Sequence, residues 1–254
     1  MGNNPSTLRV LAPLSFAYDF AAQQYGIFSS PNMLDVHNAN PAAFSPQPYF
    51  IGGFFFPQQL IQLAWLWKLC RGEGTPQERK EMEGLVWPYV IGNLCIGTWM
   101  FFWNANDLAT SNMFVTINTL TQLLYITTAL PPLRPNSTPS LLTHVVAKTF
   151  AGIGVLDLLH NTAAAYYRGV PPSALVKVAT GVGFAAAASA SDWIFGGCLV
   201  YDLGRMRVLR RGLWGGGTGG IGFDYRIGRL CVKKKKKKMM MMMMITKKRG
   251  YEEV

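Results

Sequence analysis

Eighteen residues from Phe50 to Trp67 carry no charge, and they follow a Pro-punctuated segment, Phe44-Ser-Pro-Gln-Pro-Tyr49. A helix of about 20 residues crosses a hydrocarbon layer roughly 30 Å thick, so a run of this length is almost a full span. Gln58, Gln59 and Gln62 interrupt it. Helical spacing puts Gln58, Gln62 and Trp65 on one face. The stretch therefore predicts a membrane helix with one side turned to water or to a partner helix.

The rest of the chain repeats that pattern. Leu8 to Phe28 is apolar apart from Arg9, Asp19, Gln23 and Gln24, and the second span follows from about Gln47 to Leu69. A third runs from Leu85 to Trp103, with Trp87, Trp99 and Trp103 near its ends as membrane interfaces favour. Ser111 to Leu130 is a fourth, whose Thr116, Asn118, Thr119, Thr121 and Gln122 must face other helices because lipid cannot satisfy them. Leu142 to Tyr167 and Pro172 to Leu203 complete the set. In the last, Gly181, Ala185 and Ser189 form a small-residue ridge, continued by Asp192, that admits close helix approach and offers a face for a homo-oligomer. Between spans, Ser29 to Ser45 reads as a Pro/Asn-rich loop, Cys70 to Gly84 as a charged loop, and Asn104 to Thr110 as a quick turn. The expected fold is all-α: a polytopic transmembrane bundle of about six helices over residues 1–204, with a disordered basic tail over 205–254.

The net charge of +11 gains its meaning from location. Lys233 to Lys238, Lys247, Lys248 and Arg249 put nine positive charges in the tail, without aromatic interleaving, which excludes a nucleic-acid partner and favours an anionic membrane leaflet. Six Lys followed by six Met also resemble translated trinucleotide repeats, the mark of an intron or a shifted frame in a gene model. Gly217-Thr-Gly-Gly-Ile-Gly222 fits a G-x-G-x-x-G pattern, but without the flanking strand and helix it is a flexible linker. Met1-Gly2-Asn-Asn-Pro-Ser6 matches a myristoylation pattern at Gly2. Six spans distribute the Lys and Arg up to Arg211 eleven to one side and two, Arg168 and Lys177, to the other, which predicts both termini in the cytoplasm. The sequon at Asn136 then lies in the cytoplasm, unmodified.

Ionisable groups inside a span cost about 2.5–3.5 kcal/mol each on insertion scales, and so mark a partner or a pathway. Asp157 and His160 lie three apart on one helical face beside Asn161, and either relay a proton, pair with Asp192, or fix helix register. Asp19 poses the same question, with Lys148 as a candidate partner. Cys70, Cys95, Cys198 and Cys231 have no metal-ligand spacing, no nucleophile motif surrounds a Ser or Cys, and neither catalysis nor a cofactor is expected.

Phe44-Ser-Pro-Gln-Pro-Tyr-Phe-Ile51 leading into an aromatic helix resembles the second-helix start of the tryptophan-rich sensory protein and translocator protein family. Asn93 with Trp99, Phe101, Phe102 and Trp103 is similar to that family's third helix. Thr149 to Asn161 and Ser191 to Asp202 also look like segments of an uncharacterised family of fungal multi-span membrane proteins. The first resemblance covers about residues 8–168 and implies binding of a tetrapyrrole or sterol, with Trp65, Trp99 and Trp103 as the aromatic contacts. The expectation is thus a non-enzymatic binder or sensor of a hydrophobic small molecule, lined by Gln58, Gln62, Trp65, Asn93, Trp99, Trp103, Asn118, Gln122, Asp157, His160 and Asp192. Two alternatives stand beside it: a small proton-coupled transporter using Asp157 and His160, and a structural membrane protein without ligand.

Overall fold

A computed structural model describes residues 5–46 and 48–205. Gly2, the Gly217–Gly222 motif and the Lys/Met tail lie outside the described residues. Among the described residues the chain forms eight helices and no strand: α1 (Pro5–Phe28), α2 (Met33–Ala39), α3 (Pro48–Arg71), α4 (Pro76–Asn104), α5 (Leu108–Thr128), α6 (Thr138–Tyr166), α7 (Ala174–Ala190) and α8 (Trp193–Arg205). Two of them, α4 and α6, are long and apolar enough to cross a membrane, while α7 and α8 are apolar but shorter.

Capping chemistry accounts for three departures from the sequence expectation. First, Ser29 to Ser45 is not all loop, because Asn32 caps α2: its Oδ1 accepts from the amides of Leu34 and Asp35, and Asp35 returns a carboxylate to the Asn32 amide. Second, the charged segment is helical from Pro76 onward. Thr75 and Glu78 form a capping box with Pro76 at N1, so Glu78 to Glu83 belong to α4. Glu78 also accepts a hydrogen bond from the Ser137 hydroxyl at the start of α6. That bond, followed by the bond from the Thr75 amide, holds its carboxyl below the usual glutamate range.

Third, the expected sixth span is broken. Helix α7 stops at Ala190, and Asp192 starts α8, its Oδ1 accepting from the amides of Ile194 and Phe195 at 3.1 Å each. A carboxylate that reads in sequence as the continuation of a ridge is an N-terminal helix cap. The packing partner of α7 is α8; Gly181 and Ala185 are half-buried and Ser189 is exposed.

Helix α4 is the hub, packed against α1, α5 and α6, and α6 in turn packs against α3, α5 and α8. Glycine allows close approach at these crossings. A Cβ on Gly92 would lie 2.5 Å from Phe150 Cε1 of α6 and 2.6 Å from Gln122 Nε2 of α5. One apolar cluster gathers Leu8, Trp65, Leu69, Leu85, Tyr89 and Val146, and another gathers Trp103, Leu156, Phe184 and Leu199. Polar side chains are buried beside them: Ser15, Asp19, Gln58, Gln62, Asn93, Asn118, Gln122, Asn161 and Asp202. The outer faces are apolar, as along α5, where Met113, Ile117, Leu120 and Leu124 are exposed at helical spacing, and along α3, where Phe56, Leu60, Leu63 and Trp67 are.

Candidate functional site

Five helices contribute to one narrow crevice. Asp19 comes from α1, Phe55, Gln58, Gln59 and Gln62 from α3, Ile96 from α4, Asn118 from α5, and Phe150, Ile153 and Asp157 from α6. Its free interior is ≈ 10 Å³, about the room needed by one water molecule. No basic side chain lines it.

The hydrogen bonds around the crevice leave acceptors over. Thr149 Oγ1 donates to the Val145 carbonyl at 2.7 Å, so it accepts from Gln58 Nε2 at 3.4 Å, which fixes the Gln58 amide orientation. Among the described residues Gln58 Oε1 then has no partner, and neither does Gln59 Oε1. Gln62 Oε1 accepts from the Tyr89 hydroxyl at 2.7 Å, and Asp19 Oδ1 accepts from Gln23 Nε2 at 3.2 Å. With two carboxylates added, the lining is rich in oxygen acceptors, and its four carboxamides bring N–H donors but no cation.

Only part of the residue set expected from sequence meets here: Gln58, Gln62, Asn118 and Asp157. Gln122 sits beside Asn118 at 3.4 Å and ties α5 to the Pro88 carbonyl of α4 at 2.8 Å. Asn93 donates to Ser15 Oγ at 3.2 Å and joins α4 to α1. Trp65 is fully buried, with its ring 4.8 Å from that of Tyr89 and its Nε1 donating to Thr143 Oγ1 at 3.2 Å.

A separate aromatic group lies toward α2. Trp99 and Trp103 ring centroids are 5.5 Å apart, His160 is 5.5 Å from Trp103, and His37 of α2 is 5.2 Å from His160. Trp99 Nε1 donates to Asn161 Oδ1 at 2.8 Å and Trp103 Nε1 to the Met33 carbonyl at 3.2 Å. His160 thus faces aromatic rings, whereas Asp157 lines the crevice.

Asp192 pairs with Lys148 rather than with Asp157 or His160, and Lys148 is accordingly not the partner of Asp19. The pair belongs to a third cluster, at the opposite end of α6 from His160. Lys148 Nζ also donates to His144 Nδ1 at 2.7 Å, so the imidazole carries its proton on Nε2. That nitrogen is 3.6 Å from Glu81 Oε1, beyond hydrogen-bond length. Glu81 is buried and accepts from Arg134 at 2.6 Å and from Ser140 Oγ at 2.7 Å.

Residues outside the site set expected from sequence also matter: Gln59 in the crevice, Glu81 inside a segment read as loop, His37 on a short helix, and Asp202. Asp202 is fully buried, neither of its carboxylate oxygens has a partner among the described residues, and it lies within electrostatic reach of Asp157. The one sequence signal for it is a carboxylate near the end of an otherwise apolar run. Among the described residues no group of His, Cys, Asp and Glu has metal-binding geometry. No protein-family model matches the chain, and no curated protein or solved structure is significantly similar to it.

Proposed function

We propose that this chain is a multi-pass integral membrane protein of about six spans, with both termini in the cytoplasm, and that it is a small proton-coupled carrier using Asp19 and Asp157. The membrane part of this reading is supported by the inversion of the usual pattern, with amides and carboxylates inside and leucine, isoleucine and phenylalanine outside. Soluble monomers rarely expose contiguous apolar surface on this scale, whereas lipid requires it.

The observation that carries the transport part is the crevice, where carboxylates from α1 and α6 line one water-sized space among unpartnered amide oxygens and no cation. Charge at membrane depth is costly, and carboxylates held there are typical of proton relays. A water-sized site with two carboxylates, unpaired amide oxygens and no cation fits a hydronium ion or a proton on one of its own carboxylates, and is too small for a drug-sized ligand, whose pockets run from about 300 Å³ upward. Full-length protein in liposomes with a trapped pH dye and a valinomycin-driven potassium potential tests this. Expected is acidification of the lumen faster than in protein-free vesicles, reduced at least tenfold by Asp157→Asn. Equal rates with and without protein would refute it.

A second reading, a binder or sensor of a tetrapyrrole or sterol, draws on the group formed by Trp99, Trp103, His160 and His37. Saturable quenching of tryptophan fluorescence, weakened by Trp99→Phe, would favour it, and quenching linear in ligand would count against it.

A further inference from the structure

A second hollow lies where the C-terminus of α2, the turn after α4 and the segment after α6 come together. It holds ≈ 340 Å³ and is lined by Pro31, Asp35, Val36, Ala39, Asn40, Asn106 and Arg168. Its polar floor is built on one buried amide. Asn40 is almost fully buried, and its Nδ2 donates to the Val36 carbonyl at 2.9 Å and to Asn106 Oδ1 at 2.7 Å. Its Oδ1 accepts from Arg168 at 2.6 Å, and because arginine only donates, the amide orientation is fixed.

Asn106 is held in turn by the way α4 ends. It sits at φ 58, with its amide bonded to the Trp103 carbonyl and the next amide, of Asp107, to that of Phe102. This is a Schellman terminus with asparagine in place of the usual glycine. Glycine would serve the backbone equally well but supplies no side chain to hold Asn40. The chain thus keeps an amide where the turn favours glycine, and the result is a guanidinium fixed at the rim of the hollow.

Arg168 makes no ion pair among the described residues. One of its N–H groups is used by Asn40, and the fork geometry leaves others for a planar anion. Asp35 is the one carboxylate on the wall; its Oδ2 accepts from the Asn32 amide, and it does not pair with Arg168. Pro31, Val36 and Ala39 give the hollow an apolar side.

We infer that this hollow is a binding site for a small zwitterion of the α-amino-acid class, with its carboxylate on Arg168, its ammonium toward Asp35 and a short aliphatic side chain against Pro31, Val36 and Ala39. The hollow's ≈ 340 Å³ is room enough for a ligand of leucine's size. Asp35 disfavours a simple anion, and Arg168 a simple cation. The site is independent of the crevice between α1 and α6 and stands whether or not that crevice moves protons.

Equilibrium binding of radiolabelled L-leucine to the full chain in detergent is the test, with 4-methylpentanoate, which lacks the ammonium, and isoamylamine, which lacks the carboxylate, as competitors. Expected is saturable binding that unlabelled leucine competes and neither analogue does at equal concentration. Arg168→Gln, at an exposed position and with an amide N–H retained for Asn40, weakens it 10- to 100-fold. Asp35→Asn, which retains an acceptor for the helix cap, weakens it about tenfold. No saturable binding, binding unchanged in Arg168→Gln, or competition by either analogue equal to that of leucine would overturn the assignment.

Discussion

Replacing Gly92 by alanine tests the helix crossing on which the crevice rests. A Cβ at this position would meet Phe150 Cε1 at 2.5 Å, Gln122 Nε2 at 2.6 Å and Asn118 Oδ1 at 2.9 Å. Ordinary carbon contacts lie at about 3.5–4.0 Å, so about 1 Å must be recovered against side chains of two helices. None of the three has room to retreat, since Phe150, Asn118 and Gln122 are all buried. Overpacking of this kind costs about 1–3 kcal/mol. Displacing Gln122 also threatens its bond to the Pro88 carbonyl, worth about 0.5–1.5 kcal/mol. The alanine returns about 1 kcal/mol of helix propensity. The balance is a destabilisation of about 0.5–3.5 kcal/mol.

Gly52, near the start of α3, provides the control, because a Cβ there meets nothing within 4 Å. Its alanine variant keeps the propensity gain and stabilises by about 1 kcal/mol. Reversible unfolding of both variants, by titrating SDS into mixed micelles and following helical circular dichroism, should separate them by about 1.5–4.5 kcal/mol, with Gly92→Ala the weaker. Equal stability of the two would refute the close crossing of α4, α5 and α6.

The Lys148–Asp192 pair lends itself to a double-mutant cycle, since Asp192 both pairs with Lys148 and caps α8. Asp192→Asn preserves a good cap and leaves a buried ammonium behind, so it should cost about 3 kcal/mol or more, whereas adding Lys148→Met should recover most of that loss. Thermal unfolding that finds the two substitutions additive would show that the pair contributes nothing. Glu78 yields a pH signature. Its carboxyl is lowered from the ordinary 4.5, so its contribution is complete above that value and disappears as the pH falls through the lower folded value. Ser137→Ala removes the hydroxyl that most lowers this carboxyl, so the acid limb of its unfolding midpoint should be shallower than in the unsubstituted chain. An unchanged acid limb would place the acid sensitivity elsewhere.

Much of the helical frame was legible from sequence because length and lack of charge suffice to define it. Pro48–Arg71 and Leu108–Thr128 fall within a few residues of the stretches expected from Gln47 and Ser111. Helical spacing also put Gln58, Gln62 and Trp65 on one face, and all three are buried. Helix α2 escaped notice because seven residues generate no periodicity, and its existence depends on the Asn32–Asp35 cap. The break at Asp192 escaped for a related reason. An aspartate within an apolar run has the same appearance whether it caps a new helix or lines an old one, and the partner that decides the matter, Lys148, is 44 residues away. Pairings such as Asp19 with Asp157 in the crevice, or His37 with His160, depend on how helices cross, which no local pattern encodes.

Helix α5 carries the sharpest form of the solvent question. Its sequence has two faces, one with Asn112, Asn118, Thr119 and Gln122, the other with Met113, Ile117, Leu120 and Leu124. Periodicity identifies the faces but cannot say which is turned inward, because that depends on the solvent. In water the amides would face out and the leucines in. The fold does the reverse, burying Asn118 and Gln122 against α4 and α6 while exposing Leu120 and Leu124. Burying amides costs free energy unless they find partners, and here Gln122 finds the Pro88 carbonyl and Thr119 the Gly154 carbonyl. An aqueous surface offers no gain to offset the exposed leucines, whereas a hydrocarbon surface removes their cost entirely. The same inversion on α3, where Gln58 and Gln62 are buried and Leu60 and Leu63 exposed, extends the argument to a second helix and supports the proposal that lipid surrounds both.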